Sequence, residues 1–184
     1  MRDFLPKKMK PGLAEKIAVW IRGNFFIPDA RKYWVKPSVE FLSNYLRSHP
    51  IDAVVSTGPP HSMHLIALGL KQKTGIPWLA DFRDPWTNID FYDKLMLSKI
   101  ADYRHRKLEK TVLKNADVVT SIGKQMADEF VQLGATNVQV VPNGFDEDDF
   151  ATGKIEMDTS FSISHIGSIN KDRNNETFWR ALKE

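Results

Sequence analysis

The spacing of apolar positions changes period along the chain, and each change marks an element. Leu13, Ile17, Trp20 and Ile21 recur at helical spacing between about Gly12 and Arg22, and Gly23-Asn24 supplies a stop. Phe25 to Pro28 breaks that pattern, and Asp29 is placed to cap the next element. A second helix is predicted from about Lys36 to Ser48, with Val39, Leu42 and Leu46 on one stripe, Pro37 in its first turn and His49-Pro50 as its end. The period then shortens. An apolar strand from Asp52 to Thr57 meets a tight turn at Gly58-Pro59-Pro60, followed by a helix from about Pro60 to Lys73 and a second strand from Pro77 to Phe82. Strand, helix and strand with short connections predict a right-handed crossover joining two parallel strands. A long charged helix comes next, from Leu95 to Asn115, with Glu109 and Lys110 facing water. Beyond it lie a strand from Asp117 to Ile122, a helix carrying Met126, Phe130 and Leu133 that stops at Gly134, and a buried strand from Val138 to Val141. This regular alternation predicts an α/β fold, a Rossmann-like parallel sheet with helices on both faces.

Pro142-Asn143-Gly144 ends the last strand with a turn, and an acidic, polar connection runs from Phe145 to about Ser160. The change in composition places a domain boundary at about residue 150, giving a first domain over 1–150 and the beginning of a second over 151–184. Phe161 to Ile166 alternates like a strand, Gly167 to Asp172 reads as a loop, and Arg173 to Glu184 opens a helix. A lone strand and helix cannot bury their own apolar faces, so this second part is expected to be a truncated piece of a larger domain.

With 184 residues, 42% of them hydrophobic and 27% charged, the chain can build the core of one ordinary domain and not of two large ones. Cysteine is absent, which excludes disulfides, thiolate metal sites and a cysteine nucleophile, and fits a reducing, cytoplasmic setting. Neither a signal peptide nor an apolar run of the roughly 20 residues needed to span a bilayer is present. The net charge of +3 comes from scattered lysines and arginines, apart from short runs such as Arg104 to Lys107, which read as solvated surface. Such a balance suits phosphate-bearing ligands or peripheral contact with an anionic membrane face, and carries no nucleic-acid signature. The aromatic residues Trp20, Phe25, Phe26, Tyr33 and Trp34 are compatible with a lipid or sugar site, but at helical spacing they read first as core.

Ligands of parallel sheets collect beyond the carboxyl ends of the strands, where the two polar clusters fall. With Pro60 as first helical residue, the backbone N–H groups of His61, Ser62 and Met63 are expected to be free at the positive end of a helix, a place for an anionic or hydroxyl-rich ligand beside Thr57 and Gly58. His61 and His64 have a spacing open to a shared metal, yet no third ligand of known position accompanies them, and the reading is no metal. Asp81, Arg83 and Asp84 offer two carboxylates and a guanidinium suited to orienting sugar hydroxyls, with Asp84 as the candidate base; pairing of Arg83 for structure alone is the competing reading. Gly167-Ser168, with Lys171 and Arg173 beyond, has the outline of a phosphate turn without its full spacing.

Ser56 to Ser62, Gly75 to Thr87, Asn115 to Thr120 and Val140 to Asp146, in that order, resemble bacterial glycosyltransferases of family 4, particularly those with a family-4-like amino-terminal domain. The cluster of Ile27 to Arg31 with Trp34 is similar to theirs as well. The resemblance implies the GT-B fold, in which an acceptor-binding and a donor-binding Rossmann-like domain face each other across a cleft. It implies transfer with retention from a nucleotide sugar to a glycan or lipid-linked acceptor, with no cofactor and no required metal, in the cytoplasm or at the inner membrane face. Asn143, Gly144 and Asp146 then mark the crossover between domains, and Gly167, Ser168 and Arg173 the start of the donor site. The chain departs from the family's usual pattern: it lacks an opening strand with a glycine-rich loop, the E-x7-E region is absent, Arg83 stands where many members have histidine, and Ser168 stands where many have arginine. The expectation is therefore an internal, inactive piece of a glycosyltransferase. A sugar-nucleotide epimerase of the same architecture and a non-catalytic Rossmann-like binding module are the alternatives.

Overall fold

A computed structural model of the chain describes residues 12–150, 158–167, 169 and 174–183. The chain divides into two compact units, Met1–Gly144 and Phe145–Glu184. In the first, α1 (Leu13–Phe25) and α2 (Lys32–Tyr45) precede β1 (Val54–Gly58), α3 (Ser62–Thr74), β2 (Trp78–Phe82), α4 (Lys99–Asn115), β3 (Val118–Ser121), α5 (Lys124–Leu133) and β4 (Val138–Val140). The strands form one parallel sheet in the order β1-β2-β3-β4. Each crossover is a helix, because parallel neighbours cannot be joined by a tight turn.

Alternation along the strands separates the two faces. Trp78, Ala80, Phe82 and Val119 point into a core that is closed by Leu68 of α3, Val112 and Leu113 of α4, and Phe130 of α5. Helices α3 and α5 each pack on α4, so the three form one layer over this face. Beside α3 lies α2, where Val39 meets Ile66 and Leu70. Gly69 makes that approach possible, since a Cβ there would stand 2.6 Å from Val39 Cγ2. On the opposite face Val55 is 68% exposed. The α/β class and Rossmann-like parallel sheet are as expected; the helical layer expected on this second face is not among the described residues.

Several boundaries differ from expectation for identifiable reasons. Helix α2 begins at Lys32 rather than near Lys36, because Asp29 starts it: its Oδ1 accepts the Arg31 N–H at 2.8 Å and its carbonyl accepts that of Lys32. Pro37 is thus inside the helix and not in its first turn. The long helix expected from Leu95 is broken. Tyr92–Leu95 forms a 3-10 turn, Met96 takes a left-handed φ of 53°, and Ser98 caps α4 by accepting the Ala101 N–H. Strand β4 is not buried, because it is the sheet's edge and Gln139 and Val140 lie exposed.

Three further expectations are corrected. Glu109 does not face water; it is buried and held by Thr87 from across the loop after β2. Trp20, Phe25, Tyr33 and Trp34 are not core residues, since all four are exposed. The reason is local for α1, which rests through Gly23 on the Leu95 carbonyl and the Leu97 side chain and so turns its apolar stripe outward. In the second unit, Phe161 to Ile166 forms no strand, and Phe161 and Ile166 are almost fully exposed, because the described residues give that segment no strand to pair with. Helix α6 (Glu176–Ala181) comes after it, capped by the Asn175 side chain.

Candidate functional site

The register of the sheet lines up a polar row. Thr57, Asp81, Thr120 and Gln139 are neighbours across the four strands. Asp81 is the centre: its Oδ2 accepts the Thr57 hydroxyl at 2.8 Å and its Oδ1 the Thr120 hydroxyl at 2.6 Å. Arg83, one residue past the end of β2, brings its guanidinium within 3.6 Å of the same carboxylate and donates to Asn143 Oδ1 beyond β4. The Arg83 backbone N–H in turn donates to the Gly58 carbonyl at 3.0 Å. Partial burial acts to raise the Asp81 pKa, but the hydrogen bonds from Thr120 and Thr57 and the charge of Arg83 outweigh it and hold the group below the usual carboxylate range. Asp81 is therefore ionised at neutral pH and fixes Arg83 at the rim. Asp84 comes directly after Arg83, exposed, with no partner among the described residues. The sequence thus gathers Thr57, Gly58, Asp81, Arg83, Asp84, Asn143 and Gly144 at the carboxyl edge of one sheet.

The helix end beside this rim is not free. Helix α3 starts at Ser62 and not at Pro60, and its first donors are taken: Ser62 N–H by Asp29 Oδ2 at 2.8 Å, Met63 N–H by the Pro60 carbonyl, His64 N–H by the His61 carbonyl. The anion favoured at that helix end is thus supplied by the chain itself, 33 residues earlier. Sequence spacing gives no sign of this bond. His61 lies flat on Trp86, with ring centroids 4.5 Å apart, and His64 lies on Phe82 at 4.3 Å. Burial lowers His61 to about 4, opposed in part by Asp29, and lowers His64 to about 3. Both are neutral near pH 7. Ser56 Oγ accepts the Trp78 indole N–H and shares a hydrogen bond with His64 Nδ1, both at 2.8 Å. If the Ser56 hydroxyl donates to Nδ1, the His64 proton sits on Nε2, which is buried without a partner among the described residues. A Cβ at Gly58 would come within 2.5 Å of that nitrogen, so glycine is required at the strand end.

A second set of contacts braces the loop after β2. The Trp86 indole N–H donates to His105 Nδ1 at 3.1 Å, and the Thr87 hydroxyl donates to Glu109 Oε2 at 2.6 Å. Burial pushes the Glu109 carboxyl up, against the lowering effect of its hydrogen bonds from Thr87. The bond ties α4 to the segment that carries Arg83 and Asp84. Among the described residues no group of three or more histidines, aspartates or glutamates is placed to hold a metal ion.

The remaining candidates belong to the second unit. Asp146 accepts the Asp148 N–H at 3.0 Å and so caps the 3-10 turn Glu147–Asp149. Gly167 has a φ of 132°, a backbone conformation that only glycine adopts readily. Ser168, Lys171 and Arg173 lie outside the described residues.

Among known families, residues 24–144 match the one described as Glycosyl transferase 4-like domain. No curated protein and no solved structure matches the chain.

Proposed function

The chain belongs to the glycosyl transferase 4-like domain family, and on that premise we propose that its first unit is the acceptor side of a glycosyltransferase. The reaction moves a sugar from a nucleotide-sugar donor to a glycan or lipid-linked acceptor, with retention at the anomeric carbon and no resident metal. The observation that carries this reading is the bonded path from Thr57 through Asp81 and Arg83 to Asn143, which aligns donors and acceptors for sugar hydroxyls along one edge. Arg83 donates to acceptor oxygens from a position fixed by Asp81. Asp84, exposed beside it, is the group that takes the proton from the acceptor hydroxyl as that oxygen bonds to the anomeric carbon. The nucleoside diphosphate leaves from the same face, its bond to that carbon breaking, so the configuration is kept. Gly167, Ser168 and Arg173 contribute to the donor phosphates from the second unit, and Asn143, Gly144 and Asp146 form the crossover. The setting is the cytoplasm, at or near the inner membrane face.

Saturation-transfer NMR of the chain with oligosaccharides, lipid-linked sugar analogues and nucleotide sugars tests the assignment. Arg83→Ala is expected to weaken glycan binding about tenfold or more, the loss of one charge-assisted hydrogen bond. Asp84→Asn leaves binding within about twofold, because a base contributes to the reaction and little to affinity. Loss of nucleotide-sugar binding in Arg83→Ala with glycan binding unchanged contradicts the acceptor assignment.

A further inference from the structure

The outer surface of the first unit carries a feature that transfer chemistry does not use. Phe25, Ile27 and Leu108 line a pocket of about 290 Å³ together with Lys32, Arg104 and Lys107. Arg104 and Lys107 are three apart on α4, on one face of the helix. No carboxylate pairs with any of the three cations among the described residues, whereas the neighbouring Arg106 is held by Asp102. Like charges gathered without a counter-ion repel, and an anion entering between them relieves that cost.

The surroundings say what kind of anion. Exposed rings connect to the pocket: Trp20 packs edge-on against Phe25, Lys32 Nζ lies 4.8 Å over Tyr33, and Lys107 Nζ lies 6.0 Å over Tyr103. Leading up to them, α1 turns Leu13, Ile17, Trp20 and Ile21 to the outside, from 41% exposed at Trp20 to 76% at Leu13. Lys32 also donates to the Phe25 carbonyl, which leaves its charge without a counter-ion. An apolar helical stripe that ends in exposed aromatic rings and cations with no carboxylate partner among the described residues is the composition of an element lying in a bilayer interface. A soluble anion accounts for the cations and leaves the stripe without purpose. A wholly apolar partner accounts for the stripe and buries the cations without a counter-ion.

We propose that this face docks on an anionic phospholipid bilayer, with the α1 stripe at the headgroup boundary and a lipid phosphate in the Lys32, Arg104 and Lys107 pocket. The proposal deepens the membrane setting proposed above and rests on it; transfer chemistry at the polar rim is tested separately by glycan binding and does not fail with it. Asp29 links the two regions: two residues past Ile27, it binds the start of α3 beside the polar rim. Docking here holds that rim close to the membrane surface.

The test is co-sedimentation of the full chain with vesicles of phosphatidylcholine alone and of phosphatidylcholine with about 30% phosphatidylglycerol. Binding is expected to the anionic vesicles only and to weaken as salt is raised. Lys32→Gln with Arg104→Gln and Lys107→Gln should reduce it by about tenfold or more, since each cation near such a surface adds to the attraction. Ile17→Ser with Trp20→Ser should reduce it as well, while Lys124→Gln on α5 should not. Circular dichroism verifies that each variant is folded, and Ile17→Ser alone serves if the double variant is not. Equal binding to both vesicles, no binding to either, or a phosphate-stabilised chain that ignores vesicles overturns the proposal. So does a dimer in solution that Ile17→Ser dissociates, because the stripe would then belong to a second copy of the chain.

Discussion

His61 shows how much a single position is asked to do. Its ring stacks on Trp86, its carbonyl accepts the His64 N–H, and Asp29 sits at the helix start beside it. In the unfolded chain His61 and His64 take up protons near pH 6.5, whereas in the fold they do so only near about 4 and about 3. The unfolded state therefore binds more protons across that interval. Stability is full above pH 6.5 and is lost as the pH falls towards the folded values. His61→Phe keeps a flat ring against Trp86 and removes one titration. Its melting temperature, followed between pH 7 and pH 4, is expected to fall less than that of the parent chain; an unchanged slope contradicts the assignment. Of the rim residues, Gly58, Asp81 and Arg83 were legible in the sequence because a strand end followed by polar residues has few other readings. Glu109 was not, as its neighbour Lys110 is exposed and only the fold brings Thr87 to it. Asp29 was half legible: its capping of the next element could be read, its bond to Ser62 could not.

Among the elements, the contact of α2 with α3 is set by a missing side chain. Gly69 leaves room for Val39, and both cluster members beside it, Ile66 and Leu70, project from the same helix. Gly69→Val overpacks this seam and is expected to cost about 1–3 kcal/mol in urea denaturation. Gly144→Ala, at an exposed loop position where a Cβ meets nothing within 4 Å, should stay within about 0.5 kcal/mol of the parent. Equal effects of the two would place the helices differently. Strands and helices were readable from their periods because each strand carries apolar residues toward one helical layer. The outward stripe of α1 was not, since periodicity identifies an amphipathic face without saying what covers it. The alternation of Phe161 to Ile166 likewise describes a strand that requires a neighbour to exist.

For the whole molecule, the order of elements determines the arrangement that matters. Successive helical crossovers build a parallel sheet whose carboxyl edge collects residues far apart in the chain, from Thr57 to Asn143. That edge was legible from alternation alone, and family membership implies sugar-containing substrates in general. What the rim binds depends on its local contacts, which periodicity does not encode. The central claim is that this edge receives the acceptor glycan. Amide chemical-shift mapping of the isotopically labelled chain during titration with an oligosaccharide or lipid-linked sugar analogue that binds addresses it directly. The account predicts that the shifts concentrate at Thr57, Arg83, Asp84 and Asn143. Shifts confined to the amino ends of the strands, at Val54, Trp78, Val118 and Val138, would contradict it.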